Sequence, residues 1–323
     1  MNVRLDDGIR IQTGGGRAVA ADASRPGEDL ALLSHAHGDH LYDQASTEAV
    51  ASPLTLALAE VRRDGDPPAP VSPDWIESVP AGHVPGSRAF LLEDEQRILY
   101  TGDCSVRDRF GMTGFEPPDA DAVIIEATYG KPSYTFPDQA AIEADIVDWL
   151  ADTRDRPVVM LGYALGRAQE LVRLAERADR SRIRYTPSIG EINDVIAAAT
   201  GDPFPGSVAS GFDPEPGDVL IVPAQTGSLS FVEQFRERED VLVAGFSGWA
   251  IDSSYRYARD LDRAFVLSDH CDFEELLGVL RAADPEEVFV VHGFVDAFAD
   301  AVQSQLGIPA RALKPGQTSL DEF

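Results

Sequence analysis

Short apolar runs separated by polar, glycine-rich turns dominate the first third of the chain. Residues 9–11 and 18–20 flank three consecutive glycines, which predicts a strand, a turn and a second strand. Residues 89–92 and 97–100 are apolar runs on either side of a charged turn, and we expect them to pair as a hairpin. The longer apolar pattern of residues 47–62 favours a helix.

The middle of the chain changes to a regular alternation of helix and strand patterns. A helix is predicted for residues 138–151, a strand for 158–161 and a helix for 167–178, and the alternation then repeats. Residues 265–267 predict a further strand and residues 272–282 a further helix. This alternation is typical of a parallel or mixed sheet covered by helices, so the predicted fold class is α/β.

Each of several predicted strands leads to a residue with a carboxylate or imidazole side chain. These residues are Asp22, His35, Asp103, Glu126, His270 and His292. Active sites of sheet proteins are assembled where strands end, so we expect these side chains to converge.

The histidines make metal chemistry the first hypothesis. The chain has six, and they are His35, His37 and His40 in Ser-His-Ala-His-Gly-Asp-His, His83 in Ala-Gly-His-Val-Pro-Gly-Ser, His270 in Ser-Asp-His and His292 in Val-His-Gly. No histidine is left over for an ordinary surface or core position. The alternative is that these are unrelated core or surface histidines.

The first histidine cluster offers four metal-binding side chains within six residues. Imidazole nitrogens and carboxylate oxygens suit Zn²⁺ at ~2.0–2.2 Å. On one loop, His35 and His37 can point to one metal ion while Asp39 and His40 turn toward a second. Mn²⁺ is a second candidate, because the ligand types favour zinc without excluding other ions.

The remaining ligands come from distant parts of the chain. We expect His83 to complete the first set, His292 to complete the second, and the carboxylate of Asp103 to bridge the two ions. Two ions ~3.5–4 Å apart lower the pKa of a bridging water and stabilise the attacking and leaving oxygens of a phosphodiester.

Glu126 and His270 are candidates for proton transfer, with Asp39 as a third catalytic residue. A carboxylate beside an imidazole fixes its tautomer and makes it a better general acid. The two residues are far apart in sequence, and a solvent-facing strand end is the alternative for Glu126.

Residues 163–171 follow a predicted strand and open a helix. The backbone N–H groups of a helix start attract phosphate, so Gly166 and Arg167 are candidate phosphate-binding residues; an ordinary helix start is the alternative. Phe246, Trp249, Tyr255 and Tyr257 could stack nucleic-acid bases, although core packing is the more common role of such residues.

The charge of the chain bears on its partners. Its 55 acidic residues exceed its 27 basic residues, which gives a net charge of −28. Such acidity argues against nucleic-acid partners at ordinary salt. With only two lysines, however, the composition is typical of halophilic proteins, in which concentrated salt screens the repulsion.

The cellular location is inferred from segments that the sequence lacks. We expect a cytoplasmic protein without a membrane partner, because the first ten residues are polar and no apolar run reaches 18 residues. The two cysteines, Cys104 and Cys271, cannot form a disulfide-rich scaffold. A homodimer remains open.

The motifs, taken in order, resemble those of the metallo-β-lactamase superfamily. Asp22 resembles the aspartate of the first motif and supports the site. The stretch from His35 to His40 resembles the second motif, His83 the third and Asp103 the fourth.

Three further motifs resemble the β-CASP nucleases within that superfamily. Glu126 in Glu-Ala-Thr-Tyr-Gly is similar to motif A, His270 to motif B and His292 to motif C. Residues 164–171 resemble the opening of the β-CASP domain of cleavage-and-polyadenylation nucleases. Short archaeal mRNA 3′-end processing factors and bacterial ligase-associated DNA exonucleases are similar subgroups.

The resemblance implies a fold and a function. The fold would be an αββα sandwich built from residues 1–131 and 263–323, with a β-CASP α/β cap domain of residues 132–262. The function would be zinc-dependent hydrolysis of single-stranded RNA or, alternatively, DNA. A small-molecule hydrolase of the lactamase or glyoxalase type and an inactive binding subunit are further alternatives.

The acidic composition generates a test of its own. If the surface is adapted to concentrated salt, the protein should lose stability when refolded in the cold at low ionic strength, where repulsion between carboxylates is unscreened. Circular dichroism at low and high KCl measures this, and full stability without salt would contradict the adaptation.

Overall fold

The computed structural model describes residues 1–27, 29–211, 213–224 and 230–315. Contacts divide the chain into two units, Met1–Thr135 with His270–Phe323, and Phe136–Asp269. The domain boundaries predicted from the sequence, 131/132 and 262/263, stay a prediction.

The elements follow one another along the chain in three groups. The first group is β1 (Asn2–Asp6), β2 (Gly8–Gln12), β3 (Ala18–Ala21), β4 (Leu30–Leu32), β5 (Glu48–Val50), α1 (Pro53–Glu60), β6 (Ala69–Pro70), β7 (Ile76–Pro80), β8 (Arg88–Glu93), β9 (Arg97–Tyr100) and β10 (Ala122–Ala127). The second is α2 (Gln139–Asp152), β11 (Val158–Gly162), α3 (Arg167–Arg177), β12 (Arg182–Tyr185), α4 (Pro187–Thr200), β13 (Ser207–Val208), β14 (Asp218–Pro223), α5 (Ser230–Arg236), β15 (Leu242–Phe246), a 3₁₀ helix (Gly248–Ile251), α6 (Ser254–Ala258) and β16 (Arg263–Phe265). The third is α7 (Phe273–Ala283), β17 (Glu287–Gly293), α8 (Val295–Leu306) and β18 (Ala310–Ala312).

The first unit contains two sheets, one of β1 to β6 and one in the order β18-β17-β10-β9-β8-β7. Side chains of the second sheet alternate between two cores, as the period of two in a strand requires. Ile98 and Ile124 pack in a cluster with residues of the first sheet, whereas Leu99 and Val123 pack with residues of α7 and α8. The second sheet therefore lies between the first sheet and a helical layer.

The prediction of a single helix over residues 47–62 is wrong for the first part of that segment. Residues 48–50 form β5, which pairs in parallel with β4 through Ala31–Ala49 and Leu32–Val50. The helix begins only at Pro53, because the Oγ of Ser52 accepts a hydrogen bond from the N–H of Thr55 at 2.9 Å and proline suits the first helical position. The strand predicted for residues 265–267 also differs, since β16 ends at Phe265.

The second unit has the predicted βα alternation. Its six strands are all parallel, in the order β13-β12-β14-β11-β15-β16. The predicted helix of residues 138–151 is α2, which begins one residue later because Asp138 is its N-cap. No helix in the described ranges is long and apolar enough to span a membrane.

Arg180 connects several loops of the second unit. Its side chain is only 6% exposed, and it donates hydrogen bonds to five backbone carbonyls. The acceptors are the carbonyl oxygens of Gly217, Leu150, Thr153, Arg156 and Asp218, at 2.7–3.1 Å. Burial and the neighbouring Arg154 lower the pKa of Arg180 to about 10, so it remains charged at neutral pH.

We expect Arg180→Met to destabilise the protein by about 3 kcal/mol or more, because buried carbonyls lose a charged donor. Thermal unfolding followed by circular dichroism measures the change. Arg184→Ala is the matched control, since the guanidinium of Arg184 donates a solvent-exposed hydrogen bond to the hydroxyl of Ser207 at 2.9 Å. Equal melting temperatures for the two variants would contradict the stabilising role of Arg180.

Candidate metal centre

A buried carboxylate, that of Asp22, organises the loop that follows β4. Its Oδ1 accepts the N–H of Ser34 at 2.8 Å, and its Oδ2 accepts the hydroxyl of Ser34 at 2.5 Å and that of Tyr100 at 2.7 Å. The Nδ1 of His40 lies 2.8 Å from the same Oδ2. The tautomer that donates to Asp22 leaves Nε2 of His40 as its metal-binding nitrogen.

Three imidazoles meet beside this carboxylate. The Nδ1 of His37 lies 3.1 Å from Nε2 of His35 and 3.2 Å from Nε2 of His83. Together with a carboxylate oxygen of Asp103, these nitrogens form a group whose atoms all lie within 4.8 Å of one another. The structure thus brings together the first predicted ligand set.

The spacing of these atoms fits a metal ion. Ligands ~2.0–2.1 Å from a tetrahedral Zn²⁺ are separated by roughly 3.3–3.4 Å, close to the nitrogen separations found here. Burial lowers the pKa of His35 well below its ordinary value, and the neighbouring His40 and His83 lower it further. A neutral imidazole is the form that binds metal.

Asp103 lies between the first ligand set and His40. Its Oδ2 is 3.6 Å from Nε2 of His35, 3.7 Å from Nε2 of His83 and 3.4 Å from Nε2 of His40. Burial disfavours a charge on His40, but Asp103 and Asp22 outweigh it and raise the pKa of His40 to about 10. The carboxylates therefore favour a positive charge at this position, which a bound cation would supply.

The second predicted ligand set is more open. Asp39 and His292 are both exposed, and among the described residues neither joins a group of metal-binding atoms within 4.8 Å. The rings of His40 and His292 are 5.8 Å apart. Although partial burial raises it, the pKa of Asp39 is lowered overall, chiefly by His40 and by a backbone hydrogen bond. The second metal site stays a prediction.

His292 occupies a bulge between two parallel strands. Glu126 of β10 pairs with Val291 of β17, but the next residue, Ala127, pairs with Gly293, so His292 has no partner in that ladder. Its φ of 56° is in the left-handed region. A bulge of this kind re-aims a side chain.

Glu126 and His270 form the predicted pair. The Oε1 of Glu126 lies 2.9 Å from Nδ1 of His270, and its Oε2 accepts the N–H of Thr128 at 2.7 Å. Burial alone would raise the pKa of Glu126, but the contact with His270 and the Thr128 hydrogen bonds lower it. The carboxylate is therefore ionised at neutral pH. The ring of His270 is 4.5 Å from that of His83, next to the first ligand set.

The predicted phosphate-binding residues lie in the second unit and make internal contacts. The N–H of Gly166 donates to Oε1 of Gln169 at 2.7 Å. Arg167 is 1% exposed; it pairs with Glu170, and its Nη2 lies 3.2 Å from Oδ1 of Asp269. The role of Gly166 and Arg167 in phosphate binding stays a prediction.

The two thiols are adjacent and buried. The Sγ atoms of Cys104 and Cys271 are 3.9 Å apart, and the N–H of Cys271 donates to the carbonyl of Cys104 at 2.8 Å. The contact between the thiols, together with burial, raises the pKa of Cys104 well above its ordinary value. Cys104 therefore stays a neutral thiol, and the two buried side chains are small packing groups next to Asp103 and His270 in the sequence.

Some residues of the site were not identified from the sequence. Ser34 directly precedes His35, and Tyr100 lies three residues before Asp103, so their positions could have suggested them. Arg109 offers no such indication, yet it is buried and its Nη2 donates to the carbonyl of Gly82 at 2.6 Å and to that of His83. Gly82 itself has a φ of +69°, and a Cβ there would lie 2.2 Å from the carbonyl oxygen of Ser105.

Part of the chain matches a known protein family. Residues 263–313, which include His270 and His292, match the family model described as RMMBL, Zn-dependent metallo-hydrolase RNA specificity domain. The match extends from β16 to β18; His270 lies in the loop between β16 and α7, and His292 lies on β17.

Three relatives are similar over larger segments. A probable DNA ligase of Opitutus terrae is 31% identical over 306 residues, which is 90% of this chain and 29% of the relative. An RNase J-like protein of Methanocaldococcus jannaschii is 33% identical over 113 residues, 33% of this chain and 27% of the relative. The DNA cross-link repair protein pso2/snm1 of Schizosaccharomyces pombe is 28% identical over 192 residues, 52% of this chain and 32% of the relative. The chain spans about a third or less of the length of these relatives.

Arg109 provides a test of how the loop of His83 is held. We expect Arg109→Met to weaken zinc binding roughly 10–100-fold, as loss of a residue that orients a metal ligand does, while the protein stays folded. Arg109→Lys should retain more zinc, because an ammonium can still donate to the two carbonyls.

Competition with a chromogenic chelator measures zinc affinity, and circular dichroism checks folding. Arg97→Met is the control, because Arg97 is a surface residue paired with Glu93 at 3.6 Å. Equal zinc affinity in Arg109→Met and Arg97→Met would contradict the positioning role.

Proposed function

Because the chain belongs to the metallo-β-lactamase superfamily and, within it, to the β-CASP nucleases, we propose that it is a zinc-dependent hydrolase of phosphodiester bonds in single-stranded nucleic acid. Its fold is the metallo-β-lactamase fold with a β-CASP insertion. The observation that carries the activity is the group of His35, His37, His83 and Asp103 beside the Glu126–His270 pair.

We assign the ligand roles as the sequence motifs imply; for the first set, the clustering of its side chains supports the assignment. His35, His37 and His83 would hold one zinc, Asp39, His40 and His292 the second, and Asp103 would contact both. Two zinc ions bound there would activate water and stabilise charge on the phosphoryl oxygens. Mn²⁺ is a second candidate for the same ligands.

Proton transfer falls to His270. Its Nδ1 faces Oε1 of Glu126, so Nε2 is the nitrogen that can deliver a proton to the leaving oxygen. The ionised carboxylate of Glu126 stabilises the protonated imidazole. Asp39, exposed at the rim of the histidine cluster, is the third proposed catalytic residue.

RNA is the first candidate substrate and DNA the second. The description of the matched family model, an RNA specificity domain, and the RNase J-like relative support RNA. The match to a probable DNA ligase over 90% of this chain supports DNA, as does the relative named as a DNA cross-link repair protein. We also propose that the protein is adapted to concentrated salt, is located in the cytoplasm and forms a homodimer.

His270→Ala tests the mechanism. We expect this variant to keep its zinc and to lose roughly 10²–10⁴-fold in rate, which is the range for removal of a general acid. His83→Ala is the comparison, since removal of a first-set ligand should lower zinc content as well. Loss of zinc from His270→Ala would refute its assignment as the proton donor.

The substrate is tested with end-labelled single-stranded RNA and DNA of one sequence, in roughly 2 M KCl to screen the acidic surface. Degradation of RNA alone supports the first candidate, and degradation of DNA alone supports the second. A zinc-loaded protein that cleaves neither, but hydrolyses a thioester or nitrocefin, would instead be a small-molecule hydrolase. A protein with almost no zinc would favour an inactive binding subunit.

A further inference from the structure

Tyr257, on the short helix α6 of the second unit, is unusually exposed. Its side chain is 77% accessible, more than any other large hydrophobic residue in the described part of the chain. The expectation that this tyrosine packs in the core is therefore wrong. An exposed tyrosine ring presents a flat face to which another ring can bind.

Guanidinium groups accompany the aromatic rings of this helix. The guanidinium carbon of Arg256 lies 5.7 Å from the centroid of the Tyr257 ring, and that of Arg259 lies 4.7 Å from the centroid of the Tyr255 ring. The Nε of Arg256 also donates to the carbonyl of Leu261 at 3.0 Å, and this hydrogen bond holds the guanidinium group in place. Each of the two tyrosines of this short helix is thus paired with a guanidinium group.

Two cavities lie beside the aromatic pairs. One, of about 300 Å³, is lined by Arg236, Arg256, Tyr257, Asp260, Leu261 and Asp262. The other, of about 500 Å³, shares Arg236, Asp260 and Leu261 with it and reaches Leu161 and Gly245, near the carboxyl ends of β11 and β15. Cavities of roughly 300–1,000 Å³ hold small organic groups, and the carboxyl ends of parallel strands are a common place for ligands.

The charges of this surface favour stacking over phosphate binding. Asp260 and Asp262 line the same cavity as the arginines, and Arg236 pairs with Glu233, so the cationic excess is small. Phosphate contacts also weaken steeply with salt, whereas stacking of a base on an aromatic ring does not depend on unscreened charge. In a chain with a net charge of −28, an aromatic platform is the mode of strand binding least affected by its own acidity.

We propose that Tyr257, assisted by Arg256, is a stacking subsite for a base of the single-stranded nucleic acid, an inference that rests on the proposed function. The base would lie on the Tyr257 ring at the mouth of the smaller cavity. The subsite recognises the flat face of a base and so accepts any sequence.

Binding is tested first, without catalysis. Labelled oligouridylate and oligodeoxythymidylate are titrated with the zinc-loaded protein in a His270→Ala background, in which turnover is slow, and followed by fluorescence anisotropy. We expect Tyr257→Ala to weaken binding roughly 5- to 100-fold, the range for loss of one stacked base, and Tyr257→Trp to retain affinity. Val208→Ala is the control, because Val208 is also exposed in the second unit but lies on β13.

Hydrolysis separates this proposal from the proposed function. Tyr257→Ala should raise KM for the oligonucleotide while it leaves hydrolysis of bis(p-nitrophenyl) phosphate, which has no strand to bind, unchanged. Wild-type protein that hydrolyses neither compound would overturn the proposed function. An active wild type with equal oligonucleotide affinity and KM in Tyr257→Ala would overturn the stacking subsite alone, as would an affinity difference that disappears at high KCl.

Discussion

The metal centre depends on one buried carboxylate. Asp22 accepts hydrogen bonds from Ser34 and Tyr100 and faces Nδ1 of His40, so it joins the ends of β3, β4 and β9. A buried carboxylate without partners costs several kcal/mol, and these contacts remove that penalty. The same contacts orient the histidines, because the hydroxyl of Ser34 also lies 2.9 Å from Nδ1 of His35. The same hydrogen bonds thus stabilise the buried carboxylate of Asp22 and orient the metal-binding histidines.

Two neighbouring histidines of the metal centre have pKa values that are shifted in opposite directions. The rings of His35 and His40 are 4.1 Å apart, yet the surroundings lower the pKa of His35 and raise that of His40. One side of the cluster therefore favours neutral ligands and the other favours positive charge. A divalent cation satisfies both demands, and its binding would release the proton from His40.

The sequence was most informative where chemistry is concentrated in short motifs. The histidine cluster and the Glu126–His270 pair could be predicted because few other roles use these residue types at such positions. Arg109 and Arg180 could not, since each acts through backbone carbonyls that only the folded chain brings together. The segment 47–62 failed because the apolar pattern of a short buried strand resembles that of a helix. The exposure of His292 was equally hidden, because strand patterns do not reveal a bulge.

The bulge at His292 makes the length of β17 as important as its composition. Successive residues of a strand face opposite ways, so one residue more or fewer before the bulge would turn every following side chain to the other face. Val288, Val290 and Val291 can exchange for other apolar residues with small adjustments of packing. A single-residue deletion among them would instead carry the histidine away from His40 without altering any motif. Within this family, substitutions in β17 should therefore accumulate during evolution while insertions and deletions are eliminated.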